Sequence, residues 1–267
     1  MPLDKSGVYA VELDVAVDAA REAGVLLRTQ LSKVSGVRHK GIVDLVTDAD
    51  LASERLIADR LATAFPDDEL LAEEGTAAGD DADANRRWIV DPLDGTTNYA
   101  HGYPLYAVSI ALEVDGVVQV GVVYVPALDE MFVAERGRGA TLNGAPALVS
   151  GTDELIEAML CTGFAYDPLK RSENLSPWSR FVAEAQAVRR DGAAALDLCY
   201  VACGRYDGFW ERELSPWDVA AGALIVAEAG GTVTNYQGDS ADIYAREVVA
   251  SNGRIHTIML EALAETV

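Results

Sequence analysis

The segment Trp88-Ile-Val-Asp-Pro-Leu-Asp-Gly-Thr-Thr-Asn98 holds residue types whose spacing can do chemistry. An apolar run, Trp88-Ile89-Val90, ends in Asp91, and Asp94 follows three residues later. Pro92 and Gly95 mark a turn. Two carboxylates delivered together repel one another unless cations neutralise them, and hard divalent ions take carboxylate and carbonyl oxygens. Gly95-Thr96-Thr97 then has the composition of a helix start, whose unpaired N–H groups attract an anion. Metal carboxylates beside a phosphate cradle are the parts of a phosphoryl-transfer site. The plainer reading is a polar turn, and this stretch alone does not separate the two.

Three more acids stand where a regular element meets a turn. They are Asp50 in Asp44-Leu-Val-Thr-Asp-Ala-Asp50, Glu73 in Ala72-Glu73-Glu74-Gly75, and Asp218 in Ser215-Pro-Trp-Asp-Val-Ala-Ala-Gly222. Each also has a structural reading: Asp50 as a solvated helix-start acid, Asp218 as a first-turn acid favoured by the helix dipole.

The elements that must position these residues are legible from periodicity. Leu13, Ala16, Val17, Ala20, Gly24, Leu27 and Leu31 recur at helical spacing and predict a long first helix. Thr47 or Asp48 caps a second helix through about Ala64, with Leu51, Leu56, Ile57 and Leu61 inward. Leu70-Leu71-Ala72 reads as a short buried strand, and residues 76–87 as a mobile loop. Ala107 to Val114 and Val117 to Val125 form a hairpin at Asp115-Gly116, continued by Met131 to Ala134 and Ala140 to Leu142. The second half alternates differently. Strands are expected at Ala158 to Thr162, Val188 to Arg190, Tyr206 to Trp210 and Val248 to Ala250. Helices are expected over Asn174 to Ala187, Ala193 to Ala202, Pro216 to Gly230 and Arg254 to Ala264.

Composition bounds the function. With 267 residues, half of them hydrophobic, the chain can bury a substantial core. A net charge of −22 repels nucleic acid and anionic membranes, so no direct nucleic-acid or membrane binding is expected. It also raises the question of how an anionic substrate enters; bound cations are one answer. The Asp and Glu excess resembles proteins of salt-loving organisms, although a merely acidic cytosolic enzyme reads the same way. Three cysteines, Cys161, Cys199 and Cys203, make no disulfide framework. With no histidine near Cys199 and Cys203, these read as small buried residues. The acidic N-terminus is unlike a signal peptide and no stretch reads as a membrane span, so a cytoplasmic location is expected.

Taken together, DLVTDAD, EEG, WIVDPLDGTTNYAHGYPLYAVSIAL, GAAALDLCYVACGRYDGFWE and PWDVAAGALIVAEAGG resemble the inositol monophosphatase family from Lys40 to Gly231. The resemblance implies an α+β fold layered α-β-α-β-α. It also implies a single unit over 1–267, with sub-regions of about 1–150 and 151–267, the first carrying an antiparallel sheet. It implies two to three Mg²⁺ ions and inhibition by Li⁺. Glu73, Asp91 and the Leu93 carbonyl look like ligands of a first ion. Asp91, Asp94 and Asp218 look like ligands of a second, and Glu73 with water like the holder of a third. Asp50 and Thr96 match the pair that orients the attacking water. Gly95 and Thr96 amides are expected to meet the phosphate. Asp94, Arg189, Gly192, Ala193, Ala194, Glu211 and Asp218 match the wall that faces the alcohol.

The substrate implied is a small phosphomonoester, myo-inositol 1-phosphate first, with fructose 1,6-bisphosphate and histidinol phosphate as alternatives. 3′-Phosphoadenosine 5′-phosphate is the weakest, since nothing in the sequence reads as a nucleotide-base pocket. Some bacterial relatives also serve transcription complexes, and a homodimer is implied. Tyr99 stands where the family usually has Phe, and Asp191, Arg212 and Glu213 add charge at the presumed rim.

Overall fold

The computed structural model describes residues 7–31, 37–39, 45–75 and 84–265. Asp44, Lys40 and most of the expected loop over 76–87 therefore lie outside the described residues.

Two helices open the chain, α1 (Ala10–Leu31) and α2 (Asp48–Ala64), with a small antiparallel pair between them, β1 (Arg38–His39) and β2 (Leu45–Val46). Next come β3 (Glu69–Ala72), β4 (Arg86–Asp94), the short α3 (Thr96–Ala100), β5 (Ala107–Val114), β6 (Val117–Val125), β7 (Glu130–Glu135), β8 (Ala140–Leu142) and β9 (Ala145–Ala147). These strands form one seven-stranded sheet in sequence order. It is antiparallel except that β3 runs parallel to β4. The hairpin at Asp115-Gly116 forms as expected, both residues taking positive φ.

The second sheet is mixed. It draws on β10 (Met159–Thr162), β11 (Ala187–Arg189), β12 (Gly208–Arg212), β13 (Thr232–Thr234) and β14 (Glu247–Ser251), in the order β11-β10-β12-β14-β13. The helices of this half are α4 (Leu175–Glu184), α5 (Ala194–Ala202), α6 (Pro216–Glu228) and α7 (His256–Ala264).

Strand alternation explains the stacking. On β4, Trp88 and Val90 join the core under α1 and α2, whereas Ile89 joins the core with α5 and α6. On β12 and β14, Phe209, Val248 and Ala250 face α5 and α6, while Trp210 and Val249 face Phe181 of α4 and Met259 of α7. Period-two alternation with both faces apolar requires cover on each side. The result is five layers: α1 and α2, the seven-stranded sheet, α5 and α6, the five-stranded sheet, then α4 and α7. No helix among the described residues is long and apolar enough to cross a membrane.

Several boundaries differ from expectation for identifiable reasons. α4 stops at Glu184 because the Ala158 carbonyl takes the N–H groups of Gln186 and Ala187 at 3.0 and 3.3 Å, which starts the pairing with β10. β12 starts two residues late because Arg205 and Tyr206 donate back to the Tyr200 carbonyl, closing α5. α7 starts at His256 because the Asn252 side chain holds the N–H groups of Arg254 and Ile255. On α2, Ile57 and Leu61 are buried but Leu51 and Leu56 only half so; Ser53 and Glu54 are buried instead. In β3 only Ala72 is fully buried.

Candidate active site

β4 does not turn at Pro92. It continues to Asp94 through a bulge: Asp91 pairs with Ser109 and Asp94 with Ala107, so Pro92 and Leu93 together oppose Val108. In a regular strand, residues three apart point to opposite faces. The extra residue flips that parity, so Leu93 packs toward α1 and α2 while Asp91 and Asp94 both face the other side. Pro92 suits this place because it has no ladder donor to lose.

Helix starts hold the remaining acids. Asp50 is the third residue of α2, and its Oδ2 accepts the Thr47 N–H at 2.9 Å, while Thr47 Oγ1 accepts from Ala49. Asp218 repeats the device on α6, accepting the Ser215 N–H at 2.6 Å. Asp94 holds a helix from outside: its two oxygens accept the N–H groups of Ala194, Ala195 and Leu196, at 2.9–3.3 Å, opening α5. Asp91 Oδ1 accepts the Leu93 N–H at 2.9 Å. Fixed this way, donor oxygens of Asp91, Asp94 and Asp218 all lie within 4.8 Å of one another. Glu73 follows β3, with its N–H on the Val90 carbonyl at 3.2 Å, and lines the same cavity as Asp94 and Asp218.

The electrostatics call for a cation. Asp91 is raised well above the usual carboxylate range by burial and then by Glu73, Asp94 and Asp218. Asp94 is pushed up to about 7 by burial, with Glu73 adding to it and three helix N–H groups opposing. Asp218 is also raised, by burial first and then by Asp94 and Glu73. The donors are oxygens only, the set that Mg²⁺ prefers.

Beside this cluster, Thr96 Oγ1 lies 2.9 Å from Asp50 Oδ1 and 3.0 Å from the Leu93 carbonyl. Asp50 is fully buried, and that burial raises its pKa against the hydrogen bonds from Thr47 and Thr96. Gly95 caps α3 at φ 87°, and a Cβ there would sit 3.0 Å from the Leu105 carbonyl oxygen and 3.2 Å from Ala193 Cβ. Only glycine fits that approach. Tyr99 keeps the packing expected of Phe and adds a hydroxyl bond to the Leu27 carbonyl at 2.7 Å, tying α3 to α1.

The cavity has a volume of about 290 Å³. Of the residues expected to face substrate, Asp94, Gly192, Ala193, Ala194, Glu211 and Asp218 line it. Arg189 does not. It ends β11, is exposed, and turns its Nη1 onto the Val188 carbonyl, while its neighbour Arg190 lines the cavity. Adjacent residues at a strand end point to opposite sides, and a doubled Arg gives no sign of which one faces in. Glu211 is pushed up to about 8 by burial and by Asp218, with Arg190 opposing. Sequence reasoning missed Arg246, Phe164 and Tyr166 in the wall. Arg190, Arg212 and Arg246 are set among Glu73, Asp94, Asp167, Glu211, Glu213 and Asp218 in that wall, so the cavity stays acidic on balance.

The sequence profile of the inositol monophosphatase family matches residues 9–267. An inositol-1-monophosphatase of Synechocystis sp. is 44% identical, covering 95% of this chain and 89% of that protein. The Nus factor SuhB of Pseudomonas aeruginosa is 42% identical, covering 94% and 95%. Among solved structures, inositol monophosphatase from Anabaena superposes with a TM-score of 0.87 at 44% identity, covering 96% of each chain. The chain belongs to the inositol monophosphatase family of phosphoric monoester hydrolases.

Proposed function

We propose that the chain hydrolyses a small sugar-alcohol monophosphate, myo-inositol 1-phosphate first, in a Mg²⁺-dependent reaction. The observation that carries this is the convergence of Asp91, Asp94 and Asp218 beside the Asp50–Thr96 pair. Glu73, Asp91, the Leu93 carbonyl, Asp94 and Asp218 would hold two to three ions. Their all-oxygen chemistry and the mutual repulsion of their carboxylates fit that cofactor. When bound, Mg²⁺ supplies Lewis acidity and charge neutralisation at the phosphate.

The chain's own residues orient and move protons. The Thr96 hydroxyl gives its proton to Asp50 Oδ1, which frees its oxygen to accept a proton from the attacking water. Thr47 fixes the other oxygen of Asp50, so the acceptor does not rotate. Phosphoryl transfer needs little beyond this positioning and charge. The backbone N–H groups at the Gly95–Thr96 helix start would receive phosphate oxygens. Glu211 and the Gly192–Ala194 turn would face the polyol. The cavity lies at the small end of ligand pockets, which favours one ring and one phosphate over a nucleotide.

Phosphate release across myo-inositol 1-phosphate, fructose 1,6-bisphosphate, histidinol phosphate and 3′-phosphoadenosine 5′-phosphate, with and without Mg²⁺, tests the reading. Turnover of inositol 1-phosphate that survives EDTA, or a stronger preference for another substrate, overturns it. Li⁺ is expected to inhibit. The three unpaired cysteines support a reducing, cytoplasmic location. We infer one continuous unit, because α6 packs on strands of both sheets, and a homodimer from the family, which light scattering would test. A second role in transcription complexes is favoured by the likeness to a Nus factor. Binding of that kind does not need the metal carboxylates, so it would persist in a catalytically dead variant.

A further inference from the structure

Behind the wall of the substrate cavity lies a second group of metal-ligand types. Cys161 is near the end of β10, Asp191 is in the turn after β11, and Asp197 is in the first turn of α5. β10 and β11 are parallel neighbours with Cys161 opposite Arg189, so Asp191, two residues on, arrives at the same end of the sheet. α5 then starts three residues later and brings Asp197 back over it. One sulfur and one oxygen from each carboxylate all lie within 4.8 Å of one another.

This is an expensive arrangement to leave bare. Relative exposures are 0% for Cys161, 1% for Asp197 and 9% for Asp191. Neither carboxylate oxygen of Asp197 has a hydrogen-bond partner. The charges that weigh on it, Asp191, Asp94 and Glu211, are all negative. A proton on Asp197 would cancel its charge and let it bond the Asp191 carboxylate or the Cys161 sulfur, which makes a proton the competitor of a cation here. A cation between the three side chains satisfies all of them at once. Ligand atoms around a tetrahedral ion with bonds of about 2.0–2.3 Å stand roughly 3.3–3.8 Å apart, a separation these side chains reach by small adjustments.

The surroundings orient the donors. The Tyr206 hydroxyl donates to Asp191 Oδ2, leaving the other oxygen of Asp191 to ligate. The Asn98 amide donates to the Asp191 carbonyl at 2.8 Å and to the Leu105 carbonyl at 2.6 Å. Such outer bonds fix ligating carboxylates in metal sites. Asp191 is the least buried of the three, and Arg190 and Gly192 on either side of it line the cavity.

We propose that Cys161, Asp191 and Asp197 form a second cation site, selective for a thiophilic divalent ion of the Zn²⁺ and Co²⁺ class. The sulfur ligand separates it from the oxygen-only cluster of Asp91, Asp94 and Asp218, which suits Mg²⁺. It stands independently of the substrate reading. Its occupation ties β10 to the first turn of α5, the turn whose N–H groups hold Asp94.

The test is a Co²⁺ titration of metal-stripped, thiol-reduced protein in excess Mg²⁺, read by absorption. Thiolate ligation of Co²⁺ gives a charge-transfer band in the near ultraviolet that oxygen ligands do not. The expected result is such a band, saturating at about one Co²⁺ per chain and erased by Zn²⁺. Cys161→Ser should remove the band, and Asp197→Asn should weaken the apparent affinity by at least about tenfold. Cys199→Ser should leave the band in place. Absence of the band in the unaltered protein overturns the proposal without recourse to any variant. So does a band that survives Cys161→Ser or disappears with Cys199→Ser.

Discussion

Thr96 has one hydroxyl proton and two acceptors within reach, Asp50 Oδ1 at 2.9 Å and the Leu93 carbonyl at 3.0 Å. Only the first choice is productive, because a proton on the Leu93 side leaves Asp50 without a role in moving it. An ion bound to the Leu93 carbonyl would compete for that oxygen and direct the proton to Asp50. Thr96→Ala should therefore lower kcat by about a hundredfold or more with little change in KM, the size expected for lost proton transfer. Thr96→Ser, which keeps the hydroxyl, should recover most of the rate. Steady-state kinetics on inositol 1-phosphate checks this. An unchanged kcat with a raised KM would make Thr96 a phosphate contact and nothing more.

Three helices begin at acids of the site, and this sets what each acid can do. Asp50 and Asp218 cap their own helices, a device legible in Thr47-Asp-Ala-Asp50 and Ser215-Pro-Trp-Asp218 because it spans only three residues. Asp94 caps α5 from about 100 residues away, and no local pattern announces that. Asp94→Asn, which from sequence removes only a ligand charge, also disturbs the start of α5. The bulge at Pro92 was equally hidden, because Asp-Pro-Leu-Asp-Gly carries turn residues and only pairing with β5 shows that the strand goes on. The helices and the meander were legible because long amphipathic periods and an Asp-Gly turn are local signals, whereas the layer order was implied only by the family resemblance. The short β9 and β13 have too few residues to show a period. α2 supplies a further support that its apolar pattern concealed. Buried Ser53 donates from Oγ to the Pro92 carbonyl at 2.8 Å, and Glu54 accepts the Glu74 N–H at 2.7 Å. One turn of helix thus braces the bulge and the Glu73 turn together. Ser53→Ala should raise the Mg²⁺ concentration for half-maximal rate severalfold while sparing kcat at saturating Mg²⁺. A loss of kcat that excess Mg²⁺ does not restore would show that Ser53 does more than brace the ligands.

At the scale of the whole molecule, negative charge is both the problem and the means of holding ions. Asp91, Asp94, Asp218 and Glu211 all sit above the usual carboxylate range. In the unfolded chain they titrate near 4. Between about pH 4 and pH 8 the native state without metal therefore holds more protons than the unfolded state, and raising the pH strips them at a cost to stability. The melting temperature in EDTA should fall between about pH 5.5 and pH 8, and saturating Mg²⁺ should stabilise the protein more at the higher pH. Equal stabilisation at both values would mean that Mg²⁺ displaces no protons, so the carboxylates are already ionised in the metal-free fold across this range. The remaining surface acts over longer distances. A net charge of −22 on 267 residues repels itself, and exposed pairs such as Arg60 with Glu22 and Arg38 with Asp48 offset little of it. Salt weakens both, but the net repulsion is larger and sums over many pairs. The Debye length falls from about 10 Å at 0.1 M to about 3 Å at 1 M. The melting temperature at fixed pH and saturating Mg²⁺ should therefore rise from about 0.05 M to about 2 M KCl. Pure screening predicts that nearly all of the gain comes below about 1 M, where the Debye length is already shorter than the spacing of most surface charges. A rise that continues beyond that point marks a surface adapted to salt, and a flat or falling curve rejects self-repulsion as a destabilising force in this fold.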